Sequence, residues 1–345
     1  MSDYRECLTT SDVLLVPRYS EIKSRDDCDV SCFGYSLPII SSPMDMVYSK
    51  QMDKLLIKNH IPVIVHRYFK DCKEQLENSY SSRSKFRFFA VGSIYGKHGT
   101  NWIDELLDNG INKFCVDMAH GDSKACVDTV TYIYNKMKKS GKIIAGNVVT
   151  KSAFRHLEDS GCWAIRVGIG SGATCSTRTN TGFGVPLLTA IQDCVRGKEK
   201  ALLIADGGIK YPGDIPKAIA FGADLCMLGR QLAATDLAPG ECYNKHKEVI
   251  TEKEKVVYKS YRGMASKEAR QGILKEASIE GESGLVEYYG TTEQYLIDLK
   301  MNLKAALSYT GALNWKIFRR DVKKIKITSS SWNESLTNII TEKGN

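Results

Sequence analysis

One cysteine in this chain stands where a thiol could react. The run Val167-Gly168-Ile169-Gly170-Ser171-Gly172-Ala173-Thr174-Cys175-Ser176-Thr177-Arg178-Thr179-Asn180-Thr181-Gly182-Phe183-Gly184 places Cys175 in a glycine-rich loop directly after an expected strand. Glycines let a backbone turn sharply and aim its amides or carbonyls at an ion or phosphate. Arg178 and the loop amides would favour the thiolate, the form that acts as a nucleophile. Most of the eleven cysteines suit the plainer role of small core residues, such as Cys115 and Cys226 within apolar strands. The residues alone leave both readings of Cys175 open.

Other candidates also close apolar runs. Ile204-Ala205-Asp206-Gly207-Gly208-Ile209 ends in a carboxylate and two glycines, and Leu228-Gly229-Arg230 adds a glycine and a guanidinium able to fork onto phosphate oxygens. Asp206 would repel a phosphate, so the ribose hydroxyls of a nucleotide are its expected partner. A simple barrel-closing turn is the alternative. Asp117-Met118-Ala119-His120-Gly121-Asp122-Ser123 offers another strand-end carboxylate, equally readable as a solvated aspartate.

These candidates need elements to bring them together. Short apolar runs recur at Leu37–Ser41, Pro62–His66, Phe88–Gly92, Lys113–Asp117, Lys142–Gly146, Ala164–Gly168, Leu202–Asp206 and Leu225–Gly229. Segments of helical spacing lie between them, including Ser49–Asn59, Ile103–Asn109, Ala153–Ser160 and Asp214–Phe221. Apolar strands alternating with helices indicate a parallel sheet buried on both faces. Eight such units predict an α/β chain folded as a closed (β/α)8 (TIM) barrel, ahead of an open doubly wound sheet. The strand ends then carry Ser42 and Asp45, His66 and Arg67, Ser93, Asp117 and His120, Asn147, Cys175, Asp206 and Arg230, in strand order. Such a barrel keeps its chemistry on that face.

The expected organisation is one catalytic domain spanning 1–345 without a regulatory insertion. A charged stretch over about 245–290 reads as a flap, since a long weakly periodic segment often serves as a lid. A final helix over roughly Thr292–Ser308 presents Leu296, Leu299, Leu303 and Leu307 on one face. The polar tail at about 329–345 is expected to be poorly ordered.

Composition narrows the function classes. A hydrophobic content of 43% suits a large soluble core, and no apolar run reaches the roughly 20 residues of a membrane span. Met1–Glu6 lacks the apolar core of a secretory signal, so a cytoplasmic protein with reduced thiols is expected. The absence of CxxC and HExxH spacings argues against zinc. The net charge of +8 favours anionic ligands, but there is no basic stripe or module for nucleic acid. The lysines around 247–259 and 316–326 read as solvated faces.

Taken in order, the motifs resemble the inosine monophosphate dehydrogenase / guanosine monophosphate reductase family over nearly the whole chain. The match runs through Leu8-Thr9-Thr10-Ser11-Asp12-Val13-Leu14-Leu15-Val16-Pro17-Arg18, Ser42-Pro43-Met44-Asp45, the cysteine loop, Ile204–Ile209, Tyr261-Arg262-Gly263-Met264 and Glu280–Gly290. The resemblance implies that Cys175 attacks C2 of a purine monophosphate. It places Ser42, Met44, Asp206, Gly208, Gly229, Arg230, Tyr261, Gly263, Met264, Ala265 and Ser266 against the substrate. Asp117, Met118, Ala119, His66 and Lys70 fall on the cofactor side, with Lys70 or Arg67 available to a 2′-phosphate. Gly170, Gly172, Cys175 and Arg178 match positions holding a monovalent cation, usually potassium, and a homotetramer is implied. Ala173 departs from the pattern where a phosphate-binding serine is common, and Arg230 stands where small residues are common.

The family holds two reactions that share one adduct. The dehydrogenase oxidises IMP with NAD and hydrolyses the adduct, using an Arg-Tyr pair on a long flap. Here the 15 residues from Ala265 to Ile279 contain Arg270 followed by Gln271, and no tyrosine. Thr177 and Glu280 match the reductase pair that protonates a departing amine, a task suited to a hydroxyl relayed to a carboxyl acid. The Thr181-Gly182-Phe183-Gly184 run and Ala305–Gly311 also lean towards reductases, whereas Ser42–Asp45 and Tyr261–Met264 lean towards dehydrogenases. The resemblance therefore implies NADPH-dependent reduction of GMP to IMP and ammonia. IMP dehydrogenase is the alternative, and a catalytically inactive nucleotide-binding barrel is a third reading.

Overall fold

Eight short runs of buried β-branched and aromatic residues form one parallel sheet. They are β1 (Ile39–Ser41), β2 (Val63–Val65), β3 (Arg87–Val91), β4 (Lys113–Asp117), β5 (Lys142–Val148), β6 (Ala164–Val167), β7 (Leu202–Asp206) and β8 (Leu225–Leu228). The computed structural model describes residues 4–79, 84–96, 99–138, 140–252, 255–264 and 281–336. Successive strands pair in parallel from β2 to β8, and β8 pairs with β1. A side chain helps close the remaining seam. Ser41 N donates to the Pro62 carbonyl at 3.2 Å, and Ser41 Oγ accepts from Ile64 N at 2.9 Å. The result is a (β/α)8 barrel.

Helices return the chain between strands, and their starts are legible in the residues. Ser49, Asp71, Ser123 and Thr150 each accept a backbone amide of the first turn of the helix they precede. Such a cap satisfies an amide with no partner inside the helix. Ile40, Ile64, Phe88, Ala90, Cys115, Ile144, Ala164, Ile204 and Met227 fill the barrel interior, while the larger core lies between strands and helices. The helix Thr292–Ser308 has the expected bounds, with Leu296, Leu299, Leu303 and Leu307 buried.

Two regions differ from the sequence expectations. Described parts of the stretch expected as a weakly periodic flap join an antiparallel sheet, whose strands are Cys242–Tyr243, Val249–Ile250, Tyr258–Arg262 and Ser283–Glu287. Residues 265–280 lie outside the described part. Within Tyr258–Arg262 the pleat turns Lys259 and Tyr261 inward. Lys259 is thus buried rather than solvated, and its Nζ donates to the Thr235 carbonyl at 2.8 Å and the Ala238 carbonyl at 2.5 Å. Just before the polar tail Lys323–Lys326 pairs with Val13–Val16, and the first residues of the tail, Ser329–Glu334, form a helix capped by Thr328.

Candidate active site

The strand ends surround a cavity of about 930 Å³, and its floor follows from the strand period. Side chains two residues apart point to the same face of a strand. Cys115, Ala164 and Ile204 face the barrel interior, so Asp117, Arg166 and Asp206 continue those columns to the mouth. There they form a charged layer above the apolar core. Arg166 Nη1 donates to Asp117 Oδ1 at 2.6 Å, while Nε and Nη2 donate to Asp206 Oδ2 at 3.0 and 2.8 Å. Arg67 Nε reaches Asp117 Oδ2 at 3.3 Å, and Asn147 Nδ2 joins Asp206 Oδ2 at 2.8 Å. Burial works to raise the Asp117 pKa, but the two guanidinium groups outweigh it and hold the carboxyl below the usual range.

Cys175 stands beside this floor and is the exposed member of the eleven cysteines. Its loop leaves β6 through Gly168, whose φ is +145° and whose hydrogen faces the Asp206 carbonyl. A Cβ there would lie 2.0 Å from that oxygen, so only glycine lets the two loops meet. Cys175 N donates to the Gly172 carbonyl at 3.1 Å, and Sγ lies 3.1 Å from Thr177 Oγ1. Residue 281 forms an antiparallel bridge with Cys175, and Glu282 N donates to the Thr174 carbonyl at 2.8 Å. The chain immediately after Glu280 is therefore fastened to the cysteine loop. Glu280, Ala265 and Ser266 themselves lie outside the described residues.

Arg178 takes a different course from the thiolate-favouring one expected for it. Its side chain covers Gly170, and Nη2 donates to the Val185 carbonyl at 2.6 Å and the Ile169 carbonyl at 3.4 Å. It braces the loop rather than facing the sulfur.

The opposite wall joins β1, β8 and the antiparallel sheet. Ser42, Met44, Tyr261, Gly263 and Met264 line it together with Gly208, Gly229 and Arg230. Tyr261 Oη lies 3.5 Å from Met44 Sδ, and a Cβ on Gly229 would come within 2.9 Å of that hydroxyl. Arg262 Nη2 donates to Asp45 Oδ2 at 2.5 Å, tying this sheet to the loop after β1. Arg230 Nη1 lies 3.3 Å from Tyr289 Oη, leaving much of a guanidinium fork towards the cavity.

On the remaining side Asp117, Met118 and Ala119 line the wall as expected, but after β2 the lining passes through Arg67, Tyr68 and Phe69. His66 sits one layer behind. Its ring stacks on Phe69 at 4.2 Å, and Nδ1 accepts from Tyr68 N at 3.1 Å. Burial, with a smaller repulsion from Arg262, pushes its pKa down to about 4, so it is neutral at pH 7. Lys70 is exposed and outside the cavity wall, with its amide capped by Glu74. Sequence reasoning passed over Arg166, which lies inside an apolar run. The signal was available, because a charge two residues from an inward alanine must face the same way.

A parallel barrel with an exposed thiol, a charged floor and an arginine at the end of β8 has the form of an enzyme cleft at the usual face of this fold. Comparison narrows that class. Residues 7–337 match the model of the IMP dehydrogenase / GMP reductase domain. A protein named GMP reductase from Clostridium acetobutylicum is 32% identical over 308 residues, covering 87% of this chain and 90% of the relative. Another of that name from Staphylococcus carnosus is 32% identical over 317 residues, covering 90% and 93% respectively. The chain belongs to the IMP dehydrogenase / GMP reductase family of oxidoreductases.

Proposed function

We propose that this chain is a GMP reductase, converting GMP to IMP and ammonia with NADPH through a covalent bond from Cys175 Sγ to the purine C2. The carrying observation is the exposed thiol 3.1 Å from the Thr177 hydroxyl, with the chain after Glu280 paired to Cys175. Addition of the thiolate makes C2 tetrahedral. The amine must then depart as ammonia, because an amide ion is too poor a leaving group. Thr177, acting with Glu280, supplies the proton. Bound NADPH supplies the hydride. C2 keeps that hydrogen as the C–S electron pair returns to Cys175. GMP, NADPH and two protons thus give IMP, NADP⁺ and ammonium.

The floor supports this reading. Three donors converge on Asp206 Oδ2, leaving Oδ1 for ribose hydroxyls. Arg230 stands beside Gly208 and Gly229 for the phosphate, where its charge offsets the hydroxyl missing at Ala173. Arg67 and Tyr68, whose ring lies 4.6 Å from the guanidinium carbon, would hold the cofactor with Asp117, Met118 and Ala119. The carbonyls of Gly170, Gly172, Cys175 and Arg178 suit a potassium ion. Gly172 and Arg178 already accept one amide each, and a carbonyl oxygen keeps a second lone pair. Such an ion would hold the shape of the cysteine loop. The reading extends to a cytoplasmic homotetramer, for which the exposed Ile297 and Met301 offer apolar surface.

The wall of Ser42, Met44, Tyr261 and Met264 also favours a second reading, IMP dehydrogenase. Two assays by nicotinamide absorbance separate them. GMP-dependent loss of NADPH supports the reductase, IMP-dependent formation of NADH replaces it, and no change in either leaves a binding protein.

A further inference from the structure

The cavity has one wall that the proposed chemistry does not use. Trp332, from the helix Ser329–Glu334 near the C-terminus, lines it beside Thr9, Thr10, Lys210 and Tyr211. A six-residue helix is too short to be stable alone, so contacts must hold it. The Trp332 ring lies 6.0 Å from that of Tyr211, and Lys217 Nζ sits 4.8 Å over its face. Lys217 is buried, and Nζ also donates to the Thr10 carbonyl at 2.9 Å.

Segments from the early and late parts of the chain thereby converge on the loop after β7. The strand Lys323–Lys326 pairs with Val13–Val16, and Ile327 N donates to the Asp12 carbonyl at 2.9 Å. From the other side, Asp214 Oδ2 accepts Lys210 N at 2.9 Å and Tyr211 N at 2.8 Å. That loop begins Asp206-Gly207-Gly208. Its two glycines have φ of +80° and +70°, a conformation other residues rarely adopt, so nearby contacts must fix its path.

We propose that Trp332 is a positioning residue, a clasp that holds the Gly207–Tyr211 loop in the shape that receives the nucleotide phosphate. This rests on the purine monophosphate reading above. An aromatic ring suits the role because it offers a large rigid contact area and a face for the buried Lys217 ammonium. The clasp acts on binding rather than on bond-making, since the loop it holds carries Gly208, assigned above to the phosphate side.

The test uses the full chain and two readouts. Trp332 is one of four tryptophans, and Trp102 and Trp315 are buried in the core. GMP or IMP added without cofactor should change tryptophan emission in the wild type, and Trp332→Phe should remove most of that change while keeping affinity. Trp332→Ala should raise the GMP KM and the calorimetric IMP Kd by about tenfold, with kcat held within about twofold. Unchanged Kd and KM in a folded Trp332→Ala protein overturn the clasp alone. A kcat loss at unchanged KM also overturns it. If the wild type binds neither nucleotide, the monophosphate reading fails and takes the clasp with it. Should Trp332→Ala fail to fold, Trp332→Leu gives the same comparison, and wild-type affinity there overturns the aromatic clasp.

Discussion

Arg166 and Asp206 share two hydrogen bonds at the barrel mouth, from Nε and Nη2 to the single oxygen Oδ2. The same guanidinium holds Asp117 through Nη1. One cation from the middle of β6 thus orients carboxylates from β4 and β7, on opposite sides of the thiol's strand.

Removing that cation should be costly. Arg166→Met leaves two largely buried carboxylates with less compensation, and breaking such a pair costs about 3–5 kcal/mol. Urea unfolding checks this value. A loss below about 1 kcal/mol would mean that Arg67 and Asn147 hold the floor unaided. Arg166→Lys should rescue little, because an ammonium cannot fork onto both partners.

The thiol and hydroxyl should separate by kinetics. Cys175→Ala should abolish GMP-dependent NADPH oxidation while leaving IMP binding intact in calorimetry. Thr177→Val should lower kcat by roughly 10²- to 10⁴-fold, the range of a lost proton-transfer partner. Near-wild-type turnover of Cys175→Ala removes the covalent mechanism, and of Thr177→Val the proton relay.

Arg230 should contribute to affinity through charge. Arg230→Ala is expected to raise the GMP KM by roughly ten- to a hundredfold, the scale of a lost charge-assisted contact to phosphate. Guanosine, lacking the phosphate, should be affected far less. An unchanged KM for GMP would assign the phosphate elsewhere.

His66 predicts an acid limb in stability. Its folded pKa of about 4 lies below the unfolded value of about 6.5, so the unfolded chain binds the extra proton between them. Stability from this group is whole above about pH 6.5 and falls as pH drops towards 4, by about 3 kcal/mol in all. His66→Gln should flatten that part of the stability–pH curve. A curve with the wild-type slope would assign the limb to other groups.

Much of the site was legible because it sits where apolar runs end. Cys175, Asp206, Gly208, Gly229, Arg230 and the Asp117–Ala119 turn all line the cavity as the strand count placed them. After β2 the expected residues were His66, Arg67 and Lys70, and of these Arg67 lines the wall, beside Tyr68 and Phe69. A single step from His66 to Arg67 separates the layer behind from the wall, because successive side chains on an extended backbone face opposite ways. Lys259 was misread for the same reason, since a lysine in a charged stretch looks solvated until the pleat turns it inward.

Residue order is enough to set the repeat of strand and helix, the succession of the motifs and the glycine loop that presents Cys175. Those are local properties, written in residue types, spacing and backbone freedom. Tertiary structure alone decided that Arg166 joins Asp117 to Asp206, that Trp332 returns from the C-terminus to the cavity, and that Arg178 turns from the sulfur to the loop carbonyls. These contacts join residues brought together by barrel closure and loop shape, and no local pattern encodes which distant partner a side chain will meet.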